Sequence, residues 1–171
     1  MDLMTQIKEK AKNSFKTIVL PEGEEERTLQ AADILIAEKI ANIILIGNTE
    51  KINSEAEKFK LKHISEATLI DPKTSPKREK YSALMVEIRK SKGLTKEEAL
   101  KQLDNPYYYG TIMIKAGDAD GMVAGAICST ADTIRPAFQY IKTLPGISIV
   151  SGAFIMILKD KSYGEDGLMV F

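Results

Sequence analysis

Cysteine, histidine and tryptophan are almost absent from this sequence. Its 171 residues include one cysteine, Cys128, one histidine, His63, and no tryptophan. A single cysteine cannot form a disulfide within the chain, which fits a reducing compartment, and we therefore expect a cytoplasmic protein. One histidine and one cysteine supply no zinc-ligand pattern, so we predict no metal site. His63 lies in a polar stretch without a serine or cysteine context, which argues against a histidine-based catalytic triad.

An excess of charge of one sign and a long apolar run are also missing. Lysine plus arginine and aspartate plus glutamate both number 24, so the formal net charge is zero, whereas binding to a nucleic-acid backbone needs a basic excess or a basic face. No apolar stretch approaches the roughly 20 residues of a membrane-spanning helix. The N-terminus lacks the basic and apolar regions of a signal peptide. We therefore expect small molecules as partners, and neither nucleic acid nor a membrane.

Short apolar strands alternate with helices through most of the chain. We predict a helix at the start of the chain, strands at 17–20, 43–46, 68–70 and 122–124, and further helices at 22–39, 49–58, 77–92, 107–115 and 132–142. Thr95 and Glu98 have the spacing of a capping box and open one more helix. Because the strands are apolar throughout rather than alternating, we expect both faces of their sheet to be covered. The pattern predicts an α/β protein with three layers, α/β/α, around a mostly parallel sheet.

The pattern changes after the first 146 residues. An apolar run at 147–158 is followed by a polar, glycine-containing stretch at 159–167 and by a second apolar run at 168–171. This order predicts two strands joined by a loop, with no helix between them. We therefore predict a first α/β domain at residues 1–146 and the truncated start of a second domain at residues 147–171, so that the chain ends inside a strand.

The stretch from Gly125 to Arg135 carries the clearest chemical signal. Gly125 and Ala126 follow a predicted strand, and their small side chains let another group approach the backbone. The hydroxyls of Ser129 and Thr130 come next, and a helix begins near them. Small residues, hydroxyls and a helix N-terminus at the carboxyl end of a strand form an anion-binding site. Arg135 adds a planar guanidinium group that is suited to a phosphate.

The same residues have a purely structural alternative. Ser129, Thr130 and Asp132 could serve only as helix caps, and the residue types alone leave both interpretations open. We place Pro136 in the first turn of this helix, where proline is tolerated. Arg135 would then lie near the helix start, where a positive charge is unfavourable by roughly 0.3–1 kcal/mol unless an anion is close. This position favours the anion site.

Other chemically active residues are weaker candidates. Cys128 could be a nucleophile, but most lone cysteines behave as small buried hydrophobic residues. The acidic run from Glu22 to Glu26 is expected to be a solvated helix start rather than a metal site. The three tyrosines at 107–109 are expected to cover a domain edge. Arg89 lies near a predicted helix end, where a surface cation is the default.

Four stretches resemble, in the same order, the motifs of the phosphate acetyltransferases, also called phosphotransacetylases. They are residues 18–32, residues 118–126 continuing through 129–137, residues 150–154 and residues 166–171. Because these stretches span nearly the whole chain in the family's order, together they are far more specific than any one of them. The chain resembles the N-terminal half of such an enzyme.

The resemblance implies a two-domain enzyme of isocitrate dehydrogenase-like architecture, a homodimer with its active site between the domains. The implied reaction exchanges an acetyl group between coenzyme A and phosphate, with both molecules as substrates and with neither a metal nor a further cofactor. Family arginines linked to substrate binding match Arg89 and Arg135, and a hydroxyl-rich turn matches Ser129 and Thr130. These four are the predicted residues for binding coenzyme A or phosphate. The family's Ser-Arg and Asp catalytic group is expected beyond Phe171, so no catalytic residue is assigned here and this chain alone is expected to be inactive.

Two alternatives to the acetyl enzyme remain. One is a phosphate butyryltransferase, because acyl length is set by a pocket that the sequence does not reveal. The other is a non-catalytic, phosphotransacetylase-like regulatory domain, such as the part appended to some malic enzymes. We expect no dehydrogenase domain before Met1, which argues against the second alternative.

Overall fold

Four short parallel strands form the centre of the computed structural model, which describes residues 2–171. They are β1 (Thr17–Leu20), β2 (Asn42–Ile46), β3 (Thr68–Ile70) and β4 (Gly121–Met122), arranged in the order β3-β2-β1-β4. Every neighbouring pair in this sheet is parallel. Apolar and β-branched residues dominate β1 and β2, as strands buried on both faces require. The predicted parallel sheet is confirmed, although β4 is shorter than predicted because its ladder with β1 ends at Met122.

Helices flank this sheet, and short polar side chains set several of their ends. They are α1 (Leu3–Ser14), α2 (Glu26–Ala37), α3 (Thr49–Lys58), α4 (Arg78–Ile88), α5 (Lys96–Gln102), α6 (Pro106–Lys115) and α7 (Thr130–Tyr140). Thr95 and Glu98 form the predicted capping box at the start of α5. The helix predicted at 77–92 is interrupted at Arg89, after which a 3-10 turn over Lys90–Lys92 leads to Gly93. The left-handed backbone of Gly93 ends that turn.

The side chains of β1 and β2 alternate between two apolar cores, one on each face of the sheet. Val19, Ile44 and Ile46 belong to the core formed with α4, α5, α6 and α7. Leu20 and Leu45 belong to the core formed with α2 and α3. Because neighbouring residues of a strand point to opposite faces, these two cores lie on opposite sides of the sheet. The predicted three-layer arrangement is confirmed.

Helix α2 begins later than predicted. Its N-cap is Glu25, whose side chain accepts the backbone N–H of Thr28 at 2.8 Å, so the first helical residue is Glu26. Residues 22–25 form a loop instead of the expected first helical turn. The prediction of a helix from Glu22 is therefore wrong, and the cause is a side-chain cap further along the chain.

Helix α7 begins earlier than predicted. Ser129 is its N-cap, because its hydroxyl oxygen accepts the backbone N–H of Asp132, and the helix runs from Thr130. Pro136 lies inside α7 rather than in its first turn, so its placement in the sequence analysis is wrong. The cap determines the helix start, whereas the proline only removes one backbone donor from the interior.

The last part of the chain is a hairpin outside the main sheet. Strands β5 (Ile155–Ile157) and β6 (Leu168–Val170) pair antiparallel, which confirms two strands joined by a loop without a helix. The predicted strand at 147–158 forms only over β5, and residues 147–154 are exposed. The domain division near residue 146 stays a prediction. Within residues 2–171, no helix is long and apolar enough to cross a membrane.

Candidate functional site

The order of the strands creates a crevice at one end of the sheet. From β1 the chain continues to β2 and β3 on one side, and it later returns to β4 on the other side of β1. The connection after β1 leads to α2 on one face of the sheet, and the connection after β4 leads to α7 on the other face. In open α/β sheets, ligands bind outside the carboxyl ends of the strands at such a switch point. The segments that meet here are residues 21–25 after β1 and residues 123–130 after β4.

The carboxylate of Glu22 joins these two segments. Its side chain is buried, and four consecutive backbone N–H groups donate to it. Gly125 and Ala126 donate to Oε2 at 3.0 and 2.8 Å, and Ile127 and Cys128 donate to Oε1 at 3.0 and 3.1 Å. Successive N–H groups that converge in this way form an anion-binding nest. The sequence predicts that another group approaches the backbone at Gly125 and Ala126. In the structure this group is the Glu22 side chain of the same protein.

Tyr107 completes the surroundings of Glu22. It lies in the first turn of α6, and its hydroxyl donates to Glu22 Oε1 at 3.1 Å. Burial would raise the pKa of Glu22, but the N–H groups of Ile127 and Ala126 outweigh it and lower the pKa from 4.5 to about 2. Burial, together with Cys128 and the carboxylate, raises the pKa of Tyr107 well above its usual value. Glu22 is therefore an anion at neutral pH, while Tyr107 stays protonated as a donor.

The neighbouring glutamates also have specific partners. Glu24 accepts the N–H of Asn48 at 2.8 Å and forms a 2.7 Å ion pair with Lys51, and Glu25 caps α2. The expectation of a solvated acidic run is therefore wrong for Glu22 and holds best for Glu26, which is exposed. Among residues 2–171, no group of three or more His, Cys, Asp or Glu side chains is arranged to hold a metal ion.

Ser129 and Thr130 lie at the N-terminus of α7, directly after the nest. The Ser129 hydroxyl donates to the Asp132 carboxylate at 2.7 Å and also caps the helix, so in this structure it plays the structural role that the sequence left open. The side chain of Thr130 is exposed and has no hydrogen-bond partner within the described residues. The turn therefore offers one engaged and one free hydroxyl beside the helix N-terminus.

Of the two predicted arginines, Arg135 lies further along α7, whereas Arg89 is the C-cap residue of α4. Arg135 is exposed and has no hydrogen bond or ion pair with any residue in the described range 2–171. The guanidinium carbon of Arg89 lies 5.9 Å from the ring centre of Tyr140, at the far end of the helix. Since a helix rises about 1.5 Å per residue, Thr130 and Tyr140 are about 15 Å apart. Ser129, Thr130 and Arg135 thus lie along α7, and Arg89 reaches its far end from α4. This spread suits a long ligand better than a small anion, and the role of these residues stays a prediction.

Cys128 contributes to the crevice mainly through its backbone N–H group. Its N–H binds Glu22, while its partly buried thiol lies 3.0 Å from the hydroxyl of Thr133. A thiol in contact with a neutral hydroxyl lacks the cationic partner that activates a nucleophilic cysteine. The structure gives no reason to assign chemistry to this thiol.

The sequence analysis missed three residues that shape the crevice: Glu22, Tyr107 and Arg27. Arg27 links α2 to the nest, because its Nη2 donates to the carbonyl oxygen of Ala126 at 2.7 Å and its Nε donates to Glu25 at 2.6 Å. A cleft of about 390 Å³ opens beside Glu22 and Tyr107. No local signal marks Glu22, because the backbone donors that surround its carboxylate belong to residues 125–128.

The comparisons with known proteins agree on one family. The family described as "Phosphate acetyl/butaryl transferase" matches residues 2–171. The chain is 48% identical over 171 residues to the phosphate acetyltransferase of Thermoanaerobacterium thermosaccharolyticum and 47% identical over the same length to that of Clostridium acetobutylicum. In both cases the match covers 100% of this chain and 51% of the relative. The chain thus spans about half the length of these curated relatives, and the resemblance found in its motifs is confirmed.

Solved structures give the same result. The EutD phosphotransacetylase from Staphylococcus aureus matches with a TM-score of 0.87 and 43% identity, covering 99% of this chain and 49% of that one. A phosphotransacetylase from Streptococcus pyogenes matches with a TM-score of 0.89 and 38% identity, covering 99% of this chain and 51% of that one. The fold and the motifs therefore lead to the same group of proteins.

Proposed function

Because the chain belongs to the phosphate acetyl/butaryl transferase family, we propose that it is half of an enzyme that exchanges an acetyl group between coenzyme A and phosphate. The observation that carries this proposal is the family match along residues 2–171, together with 48% identity over the whole chain to a protein named phosphate acetyltransferase. The relatives' names favour acetyl over butyryl as the transferred group. Part of the reaction would take place in the crevice at the β1/β4 switch point.

In the proposed reaction, the sulfur of coenzyme A attacks the carbonyl carbon of acetyl phosphate. A carbon–sulfur bond forms, the carbonyl oxygen becomes negative, and phosphate then leaves with the electron pair of the broken carbon–oxygen bond. The thiol proton passes to a base. We assign no residue within 2–171 as this base. This chemistry needs a stabilised oxyanion and positive charge beside the phosphate. It uses coenzyme A and acetyl phosphate as substrates and requires no further cofactor.

We assign substrate binding to Ser129, Thr130 and Arg135 of α7 and to Arg89, which contacts the end of α7 from α4. The free hydroxyl of Thr130, Ser129 and the helix N-terminus would contact a phosphate group, because N–H groups and the helix dipole favour an anion there. Within residues 2–171, Arg135 is unpaired, and the partly buried Arg89 forms no hydrogen bond or ion pair beside its contact with the Tyr140 ring, so both guanidinium groups can bind phosphates of a ligand that extends along the helix. Coenzyme A, which carries phosphates on a long molecule, fits this spacing. We further propose that the complete enzyme acts as a homodimer in the cytoplasm.

An assay of the full-length protein tests the proposal. Purified enzyme is given coenzyme A with either acetyl phosphate or butyryl phosphate, and thioester formation is followed over time. We expect kcat/KM to be at least about tenfold higher for the acetyl substrate, the discrimination that a pocket of fixed size gives between acyl lengths. A higher kcat/KM for butyryl phosphate would show that the transferred group is butyryl rather than acetyl. Absence of transfer with both substrates would overturn the proposed function and favour a non-catalytic role.

A further inference from the structure

We propose that Glu22 is a positioning residue whose buried carboxylate holds the loop between β4 and α7 in the shape that presents Ser129 and Thr130 to the crevice. The effect of Glu22 on catalysis rests on the function proposed above. The structural part of the inference, that one side chain fixes the loop, rests only on the geometry of the chain.

The loop depends on Glu22 because it has little regular structure of its own. Between the end of β4 and Ser129, the N–H of Val123 bonds to the backbone of β1 at 3.0 Å. The next donors, at residues 125–128, all bond to the Glu22 carboxylate at 2.8–3.1 Å. Backbone donors in a partly buried segment need partners, and here a side chain supplies what a sheet or helix would otherwise provide. Removing that acceptor leaves several donors unsatisfied at once.

Glu22 itself is fixed by the rigid part of the sheet. It lies two residues after the end of β1, and the N–H of the next residue, Gly23, bonds to the carbonyl oxygen of Ile46 at the end of β2. Tyr107 of α6 donates to the same carboxylate at 3.1 Å, and Arg27 of α2 donates to the carbonyl oxygen of Ala126 at 2.7 Å. The loop is therefore tied to β1, α2 and α6 through contacts that meet within a few ångströms. Such convergence is what holding a binding turn in one conformation requires.

Loss of the carboxylate has a specific kinetic consequence. If the loop is no longer ordered before the substrate arrives, part of the binding free energy is spent on ordering it. This cost applies equally to the bound substrate and to the transition state, so KM rises while kcat changes little. A mutation that only destabilised the fold would reduce the amount of active enzyme and leave the KM of the folded fraction unchanged.

The test compares Glu22→Gln with Glu26→Gln in the full-length enzyme. Both changes remove one negative charge, but Glu26 is exposed on α2, where its carboxylate accepts a hydrogen bond from the Gln30 side chain at 3.0 Å. For Glu22→Gln we expect KM for coenzyme A or acetyl phosphate to rise about tenfold or more, as expected for loss of hydrogen bonds to a charged group, with kcat within about threefold of the original value. Glu26→Gln should leave both constants unchanged.

Hydrogen exchange of the backbone amides supplies a readout that does not depend on activity. In Glu22→Gln the amides of residues 125–128 should exchange faster, while those of β2 keep their protection. If Glu22→Gln does not fold, Tyr107→Phe is used, since it removes one donor and leaves the four backbone bonds. Tyr107→Phe should raise KM in the same direction by a smaller factor.

Two results would overturn the inference. One is that Glu22→Gln changes neither the hydrogen-exchange rates of residues 125–128 nor KM. The other is faster exchange throughout the protein together with a normal KM, which would make Glu22 a residue of general stability only. If the unmodified enzyme transfers no acetyl group, the proposed function fails, but the exchange measurement still decides whether Glu22 holds the loop.

Discussion

Because of Glu22, the stability of this chain should vary with pH in the acidic range. Its pKa is about 2 in the folded protein, below its ordinary value of 4.5, because the backbone donors stabilise the anion. The stabilisation is therefore complete above about pH 4.5 and is lost as the pH falls through about 2, since the unfolded chain takes up the proton first. A shift of this size corresponds to roughly 3 kcal/mol.

Urea unfolding of the original chain and of Glu22→Gln, between about pH 6 and pH 2, measures this contribution. The difference in unfolding free energy between the two proteins should shrink as the pH is lowered, because glutamine does not titrate. Other carboxylates also have lowered pKa values, among them Glu24 and Asp118, so the comparison uses the difference rather than the absolute curve. A difference that stays constant with pH would contradict the assignment.

Substitution of Arg135 should affect substrate binding without affecting the stability of the fold. Because the guanidinium is exposed and unpaired within residues 2–171, Arg135→Ala should change the unfolding free energy by less than about 0.5 kcal/mol. In the full-length enzyme the same change should weaken transition-state stabilisation by about 2–4 kcal/mol, measured through kcat/KM. Lys101→Ala, an exposed cation on α5, is the matched control and should have no kinetic effect. Unchanged kinetics in Arg135→Ala would remove this residue from the site.

Cys128 is expected to be dispensable for the chemistry. Its backbone N–H holds the Glu22 carboxylate and would be retained in Cys128→Ala, whereas the thiol lies 3.0 Å from the Thr133 hydroxyl and beside Tyr107. The full-length variant should therefore keep most of its activity, because coenzyme A supplies the attacking thiol. Steady-state assay of the variant checks this result. An acetyl adduct on Cys128, detected by mass spectrometry after treatment with acetyl phosphate, would show that the expectation is wrong.

At the scale of elements, the ends of β1 and β2 approach so closely that only glycine fits between them. A Cβ atom at Gly23 would lie 2.8 Å from the carbonyl oxygen of Ile46, a backbone atom of β2. Gly23→Ala should therefore destabilise the chain by about 1–3 kcal/mol, since neither strand end can move freely. Gly152→Ala is the control, because a Cβ there meets nothing within 4 Å.

Denaturant unfolding of both glycine variants measures the effect. Gly152→Ala should lie within about 0.5 kcal/mol of the original chain. Equal effects of the two substitutions would mean that the contact with β2 is not the reason for glycine at position 23. Because Gly23 follows Glu22 directly, its substitution should also disturb the loop after β4, which hydrogen exchange can detect.

Helix α7 presents two different faces. Pro136 and Tyr140 are buried on the side of the sheet that α6 covers. Ile134, Phe138 and Ile141 lie on another face at helical spacing, and they are 37%, 50% and 36% exposed. An apolar stripe of this kind on a surface helix is normally covered by another element. Within residues 2–171, only loop residues such as Thr143 and Val150 lie beside the stripe, and they leave it partly exposed.

For the whole molecule, the exposed apolar surface leads us to expect self-association of the 171-residue chain. Besides the stripe on α7, Phe154, Ile155 and Phe171 are 79%, 60% and 64% exposed, next to open strand edges. Such surfaces associate at the concentrations of ordinary biophysical work. The chain alone should also show no acetyl transfer, because it spans 51% of the length of its relatives.

Sedimentation velocity and a thioester assay on the purified chain test both statements. Phe138→Lys should weaken self-association, whereas Ile34→Lys should not, since Ile34 is 54% exposed on α2, away from α7 and the hairpin. A concentration-independent monomer would contradict the first expectation. Turnover near that of the full-length enzyme would show that residues 2–171 suffice for the chemistry.

The sequence by itself determined the features that depend on near neighbours. The apolar runs of β1, β2 and β3 predict those strands, because β-branched and aliphatic residues favour a buried pleated surface. Thr95 and Glu98 predict the start of α5, since a capping box needs only residues three apart. The motifs likewise identified the family, because their order along the chain is a property of the sequence.

Tertiary structure alone decided the environment of Glu22. Its backbone partners lie 103 to 106 residues away, so no local pattern distinguishes this glutamate from the exposed Glu26. The apolar run at 147–158 shows the same limit, because only Ile155–Ile157 finds a pairing strand and becomes β5. The hydrophobic periodicity of the sequence indicates which residues prefer burial. It does not indicate which group pairs with a buried charge or a strand edge, because these contacts join segments that are far apart in the chain.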